Sequence, residues 1–216
     1  MKLFLTKNPK KHKTDPHYKQ AKRENFRARS AYKLLEINKR FNLFKRAFYI
    51  LDLGSTPGSW LQVARKIAEE NLEKYNDGYY HRDHFKILGI DVKSISPIED
   101  IKTLRMDFTL PEFRDEIWNY FGKKVDLILS DASIKKSGIQ FSDDINQIKL
   151  CYEVLEIVDL FLKKKGSLVI KAFQGSDFNK FFSDMKREFK YVKSYKPKSS
   201  RKDSNEIYLV GIKKLW

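Results

Sequence analysis

The run LVIKAFQG at residues 168–175 climbs through apolar residues and stops on a lysine before a glycine turn. Burying an ammonium group is costly unless it is paired or neutralised, so Lys171, at the end of a strand that reads as core, is a candidate for chemistry. A second apolar run, VDLILSDA at 125–132, ends in the same way on Asp131. If the two runs are neighbouring strands, Asp131 and Lys171 pair across the cleft at their ends. Such a pair adds little net stability because desolvation offsets its attraction, and a functional role is the better account of it.

Three more stretches end strands on unusual residues. In LDLGSTPGSW (51–60), Asp52 ends a strand, and Gly54 and Gly58 let backbone approach a ligand at the first turn of a helix. A dinucleotide site needs G-x-G-x-x-G, whereas this loop has two glycines with Pro57 between them, so a nucleoside without phosphates fits better. Taken alone, the loop is equally an ordinary strand-to-helix turn. GIDVK ends a strand on Asp91, where a carboxylate can accept both hydroxyls of a ribose, and RMDF ends another on Asp107, placed to meet an adenine edge. Either acid by itself is consistent with a cap. Together with the glycine loop they describe a pocket for adenosine.

The elements that must position these residues follow from the periodicity. Strands expected at 47–53, 86–91, 101–106, 125–130 and 167–172 alternate with helices at 58–73, 111–121, 143–164 and 176–188. Strands near 189–195 and 206–213 then follow one another with no helix between them. The predicted fold is α/β: a mostly parallel seven-stranded sheet with helices on both faces and a C-terminal antiparallel hairpin. In such a sheet ligands bind at the carboxyl ends of the strands, where every residue named above falls. Ahead of it, SAYKLLEINKRF predicts a short helix from Ser30 with Tyr32, Leu34, Leu35 and Ile37 on its apolar stripe and Lys33, Lys39 and Arg40 off it. Residues 1–20 hold two prolines and many lysines without periodicity and read as an extended basic arm. The expected organisation is an arm at 1–24 and one domain at 25–216. The polar insertion YNDGYYHRDH at 75–84 contains His81, Asp83 and His84 but reads as a loop, and no metal site is expected.

Charge narrows the partner. Residues 1–46 carry +12 and residues 186–216 carry +7, while the centre carries −3. A near-neutral domain with two basic ends suits a polyanion, and counterion release favours nucleic acid. The apolar runs are far shorter than the roughly 18 residues of a membrane span, and no basic amphipathic helix or secretory leader is evident. Cys151 is the lone cysteine, which excludes an internal disulfide and suits a reducing cytoplasm.

Taken together, RARSAYKLLEI, LDLGSTPGSW, LILSDAS with a following SG, VIKAFQG and KPKSSRKDSNEIYLV resemble the FtsJ/RrmJ family of S-adenosylmethionine-dependent RNA ribose 2′-O-methyltransferases, over residues 25 to 213. The resemblance implies a Rossmann-like methyltransferase fold, S-adenosylmethionine as cofactor and a Lys-Asp-Lys-Glu tetrad, whose counterparts are Lys33, Asp131, Lys171 and Glu206. It also maps Gly54, Pro57, Gly58, Trp60, Asp91 and Asp107 to the cofactor site, beside Asp52 and Asp131. Two departures stand out: no proline follows Asp131 in SDASIKKSG, and Ser59 replaces the second glycine of the family's P-G-G-W run.

Methyl transfer to a ribose hydroxyl is an in-line displacement that needs a base for the hydroxyl proton. Lys171 is expected as that base, with Asp131 orienting it and facing the sulfonium, and with Lys33 and Glu206 holding the acceptor ribose. The alternative is a charged Lys171 that positions the hydroxyl, with proximity supplying most of the rate. RNA is expected over the basic helix, with Arg27, Arg29, Lys39 and Arg40 on phosphates and Arg201 and Lys202 closing the other side. The chain is expected to act as a monomer. Its compactness, without long C-terminal extensions, favours large-subunit ribosomal RNA over tRNA. A non-catalytic RNA-binding protein and a small-molecule methyltransferase are the readings from other classes.

Overall fold

The computed structural model describes residues 16–45, 47–75, 83–201 and 203–216. Two helices, α1 (Pro16–Arg23) and α2 (Ser30–Phe41), precede an alternating core: β1 (Tyr49–Leu53), α3 (Ser59–Tyr75), β2 (Lys86–Asp91), β3 (Lys102–Arg105), α4 (Phe113–Phe121), β4 (Val125–Ser130) and α5 (Gln140–Phe161). Then come β5 (Leu162–Phe173), α6 (Phe178–Glu188), β6 (Phe189–Tyr195) and β7 (Glu206–Lys214). The seven strands lie in the order β3-β2-β1-β4-β5-β7-β6. Strands β1 to β5 pair in parallel, and β7 runs antiparallel to both β5 and β6. The expected hairpin is present, with its second strand inserted against β5.

The central strands are buried from end to end because helices cover both faces. On one face, Leu34 and Ile37 of α2 and Leu61 and Ala64 of α3 pack over Ile50, Leu127 and Val169. On the other, Ile117, Val154, Phe161, Phe181 and Met185 cover Leu51, Ile128 and Ile170. Each such aliphatic side chain contributes about 1.5–3 kcal/mol by leaving water, which fixes the strand ends relative to one another. Among the described residues no helix is long and apolar enough to cross a membrane.

Two expectations change. Residues 16–20, read as extended, begin α1, with Pro16 at its first position where the missing N–H costs nothing. Ala21 of this helix is buried, which gives it a reason to fold that its polar sequence hides. The rest of the expected arm, residues 1–15, and most of the polar insertion, including His81, lie outside the described residues. The strand expected at 167–172 is also longer: β5 starts at Leu162, directly after α5.

Candidate active site

Parallel strands β4 and β5 run side by side, with Ser130 opposite Ile170, so the next residue of each emerges at the carboxyl edge. There Lys171 Nζ lies 3.1 Å from Asp131 Oδ1 and donates to the Asp131 carbonyl at 2.6 Å. Its side chain is 9% exposed, so the pair that the sequence predicts does hold a buried cation. The backbone beneath is clamped from α5: Gln147 Nε2 donates to the carbonyls of Ala132 and Lys171, both at 3.1 Å, and Cys151 Sγ donates to Lys171 O at 3.3 Å. Gln147 and Cys151 lie four apart on one helical face. Burial pushes the Cys151 thiol up to about 12 and keeps it protonated as that donor.

Lys33 and Glu206 meet on the adjoining side. The sequence places Lys33 off the apolar stripe of α2, yet it is buried, and its Nζ is ion-paired with Glu206 Oε1. One residue missed in the sequence joins the two pairs. Tyr208 faces Lys171 across the β5–β7 ladder, donates its hydroxyl to Asp131 Oδ1 at 2.7 Å and accepts from Lys33 Nζ at 3.3 Å. Glu206 and Tyr208 sit two apart on β7 and share a face, the signal that could have found it. Burial pushes the Tyr208 phenol up, and Asp131 and Glu206 push it further, so it stays a donor. Burial would raise the Asp131 carboxyl, but the charges of Lys171 and Lys33 and the Tyr208 hydroxyl together hold it below the usual carboxylate range.

The hydrogen-bonded chain Asp131–Tyr208–Lys33–Glu206 links two cavities. One, of about 400 Å³, is lined by Gly54, Thr56, Asp91, Asp107 and Asp131, with Val92, Phe108, Ile134 and Leu150 as apolar walls. The other, of about 370 Å³, is lined by Lys33 and Glu206 together with Arg29, Lys136, Arg201 and Asp203. The first has the size of a small-molecule site, and the second is polar and basic at its rim.

Beneath the first cavity, Asp52 is fully buried with neither carboxylate oxygen hydrogen-bonded, because Ser55 Oγ is committed to the Asp52 carbonyl at 2.6 Å. Burial pushes this carboxyl well above its ordinary value, and Asp131 and Asp91 add to the push. Thr56 Oγ1, in the cavity lining, is also buried without a partner. The ends of β1, β2 and β4 thus bring the acids Asp52, Asp91 and Asp131 together at this cavity. Asp91 is oriented by the N–H groups of Thr56 at 3.0 Å and Lys93 at 2.8 Å, and Asp107 by Thr109 N at 3.0 Å and Thr109 Oγ1 at 2.8 Å.

A family model, FtsJ-like methyltransferase, matches residues 26–214. The chain belongs to the FtsJ-like methyltransferase family. Curated relatives include "Ribosomal RNA large subunit methyltransferase E" of Methanobrevibacter smithii, 38% identical over 94% of this chain and 90% of the relative. The protein of the same name from Methanothermobacter thermautotrophicus is 38% identical over 92% and 89%. A crystal structure described as a putative ribosomal RNA methyltransferase from Plasmodium falciparum superposes with a TM-score of 0.73 at 29% identity, covering 88% of this chain and 99% of that one. The sheet order and terminal hairpin are thus those of an FtsJ-like methyltransferase. The cofactor of a methyltransferase, S-adenosylmethionine, carries a sulfonium and an ammonium, and the Asp131 carboxylate with the unpartnered Thr56 hydroxyl in the cavity lining fits such a group.

Within this FtsJ-like methyltransferase the expected cofactor residues divide. Gly54, Asp91, Asp107 and Asp131 line one cavity, whereas Pro57, Gly58 and Trp60 lie outside its lining. Gly58, at φ 103°, packs so closely that a Cβ would stand 2.8 Å from Arg27 Nη1. Trp60 donates from Nε1 to Ser30 O at 2.8 Å and lies against the Tyr208 ring, so it supports the tetrad from behind. Of the expected phosphate contacts, Arg29 and Arg201 line the second cavity, and Lys39 and Arg40 are exposed on the last turn of α2. Arg27 is committed elsewhere: its guanidinium donates to the carbonyls of Pro57 at 3.2 Å and of Ser96 and Pro97, each at 2.7 Å. Lys202 lies outside the described residues.

Proposed function

We propose that this protein methylates a ribose 2′-hydroxyl of large-subunit ribosomal RNA, with S-adenosylmethionine as methyl donor. The observation that carries the reading is the Lys171–Asp131 pair, tied through Tyr208 to a cavity of acids and apolar walls on one side and a cationic cavity on the other. The names of the relatives favour ribosomal RNA over tRNA.

When bound, S-adenosylmethionine supplies a methyl carbon made electrophilic by its sulfonium. Asp91 would accept the ribose hydroxyls of the cofactor, Asp107 would meet its base, Asp131 would face its sulfonium, and Asp52 would support the pocket from beneath. Glu206 and Lys33 hold the acceptor ribose, and Arg29 and Arg201 hold the flanking phosphates. Lys171 would take the proton that the ribose hydroxyl loses as the methyl group is transferred to its oxygen. Asp131 keeps Nζ aimed by accepting from it. No step requires a metal.

The test is transfer of labelled methyl from S-adenosylmethionine to unmodified ribosomal RNA or ribosomal subunits and, separately, to tRNA, by wild type and Lys171→Ala. Label at one ribose, resistant to alkaline cleavage and lost in the variant, is expected on ribosomal RNA. Label on tRNA alone would move the substrate, and cofactor binding without transfer to either RNA would sink the catalytic reading.

A further inference from the structure

The register between β4 and β5 breaks at the amino edge of the sheet, the end opposite the tetrad. Val125 pairs with Leu162 and Leu127 with Ser167, so Asp126 alone faces the four residues Lys163 to Gly166. The four are three lysines and a glycine, a surplus of three residues over the partner strand. Lys165 is held at φ 66° and Lys213, on the end of β7 that runs beside it, at φ 61°, a left-handed conformation that lysine does not favour. Extra residues that bend a strand outward at such a cost are features a fold keeps for a use.

The face around the bulge is basic. Lys123, Lys124, Lys164, Lys165, Lys190 and Lys213 are exposed on strand ends that share this edge. Asp126 does not offset them, because it is turned inward onto the N–H groups of Phe48 and Tyr49, each at 2.8 Å, and is ion-paired with Lys163. Asp159 is paired with Lys214 at 3.2 Å, and its carbonyl accepts from Lys124 at 3.1 Å. Asp83, beside His84 on the Tyr49 ring that Lys123 covers, and Glu188 at the start of β6 are further acids here, and the lysines outnumber them. Trp118, Tyr191 and Trp216, exposed by 44%, 47% and 58%, end up at the same edge on α4, β6 and the C-terminus. Lysines interleaved with flat rings suit a phosphate backbone with unstacked bases.

We propose that this amino edge is a second RNA-binding face, gripping phosphates of the substrate RNA far from the acceptor ribose. The inference rests on the reading of the substrate as a large RNA. Lys165 and Lys171 lie six residues apart on β5, roughly 20 Å, on opposite edges of the sheet, so a hairpin of only a few base pairs held at the tetrad does not reach the bulge.

The test combines Lys164→Glu, Lys165→Glu and Lys213→Glu in the full chain. Binding to full-length ribosomal RNA and to a short hairpin is measured across a salt series, with kcat and KM on each. On the long RNA, affinity should fall about tenfold or more, the slope of log affinity against log salt should flatten by roughly 2 to 3, and KM should rise with kcat unchanged. On the hairpin nothing should change. Unchanged binding to long RNA overturns the proposal, and so does an equal loss on both RNAs, which would mean a general charge effect. The melting temperature and hairpin kcat report folding; if they fall, the triple Gln variant replaces the Glu one. Because binding is read without turnover, a wild type that binds but transfers no methyl would count against the proposed function and leave this contrast intact.

Discussion

Asp52 shows how a single side chain sets stability against function. Its folded-state carboxyl titrates well above the unfolded value, so the folded state binds the proton more tightly, and the stability this confers is lost as pH rises above about 4. Asp52→Asn should therefore match wild type in melting temperature near pH 4 and exceed it at pH 7.5, by about 1–3 kcal/mol of stability. The same variant should gain less thermal stabilisation from S-adenosylmethionine, since the buried, unpartnered acid is a group that a cationic ligand satisfies. Equal melting at both pH values would mean that Asp52 has found a partner. Tyr208→Phe tests the link between the pairs: Asp131 loses a hydrogen bond to a charged oxygen, worth about 1.5–3 kcal/mol. We expect kcat to fall by less than in Lys171→Ala, with cofactor affinity unchanged. A drop confined to cofactor affinity would place Tyr208 in the wrong cavity.

At the scale of elements, the segment entering α2 holds two loops of the sheet together. Arg27 donates to the loop after β1 and to the loop after β2, and its backbone N–H donates to Gln62 Oε1 on α3 at 2.8 Å. Arg27→Ala should weaken S-adenosylhomocysteine binding about tenfold, measured by calorimetry, because the wall carrying Asp91 loses its anchor. Weakened RNA binding with normal cofactor binding would return Arg27 to the phosphates. A second tie runs from the same helix: Glu36 accepts from the N–H groups of Lys198 at 2.7 Å and Ser199 at 3.0 Å, which places the segment before β7 over the second cavity. Both ties join residues far apart in the chain, and the helical pattern of SAYKLLEINKRF reveals neither.

For the whole molecule, charge is arranged by the fold rather than by the ends of the chain. The C-terminal excess reads in the sequence as one surface, yet Arg201 lines the cavity beside the tetrad while Lys190 and Lys213 are at the opposite edge. Arg29→Ala and Arg201→Ala should each flatten the salt dependence of RNA binding by roughly 0.7–0.9 without altering cofactor affinity. An unchanged slope in either variant would remove that residue from the RNA path.

Local pattern and residue type by themselves determined the order of strands and helices, the hairpin at the end and the strand-end residues Lys171, Asp131, Asp91 and Asp107. Each depends on periodicity or on the cost of a charge near a core, and both are legible in a few neighbouring residues. Tertiary structure decided what needs distant segments to meet. It buried Lys33 against Glu206, inserted Tyr208 between the two ion pairs, left Asp52 without a partner and gave Arg27 to loop carbonyls instead of phosphates. A side chain's partner is set by which elements pack beside it, and that packing is chosen by the burial of whole faces rather than by the residue itself.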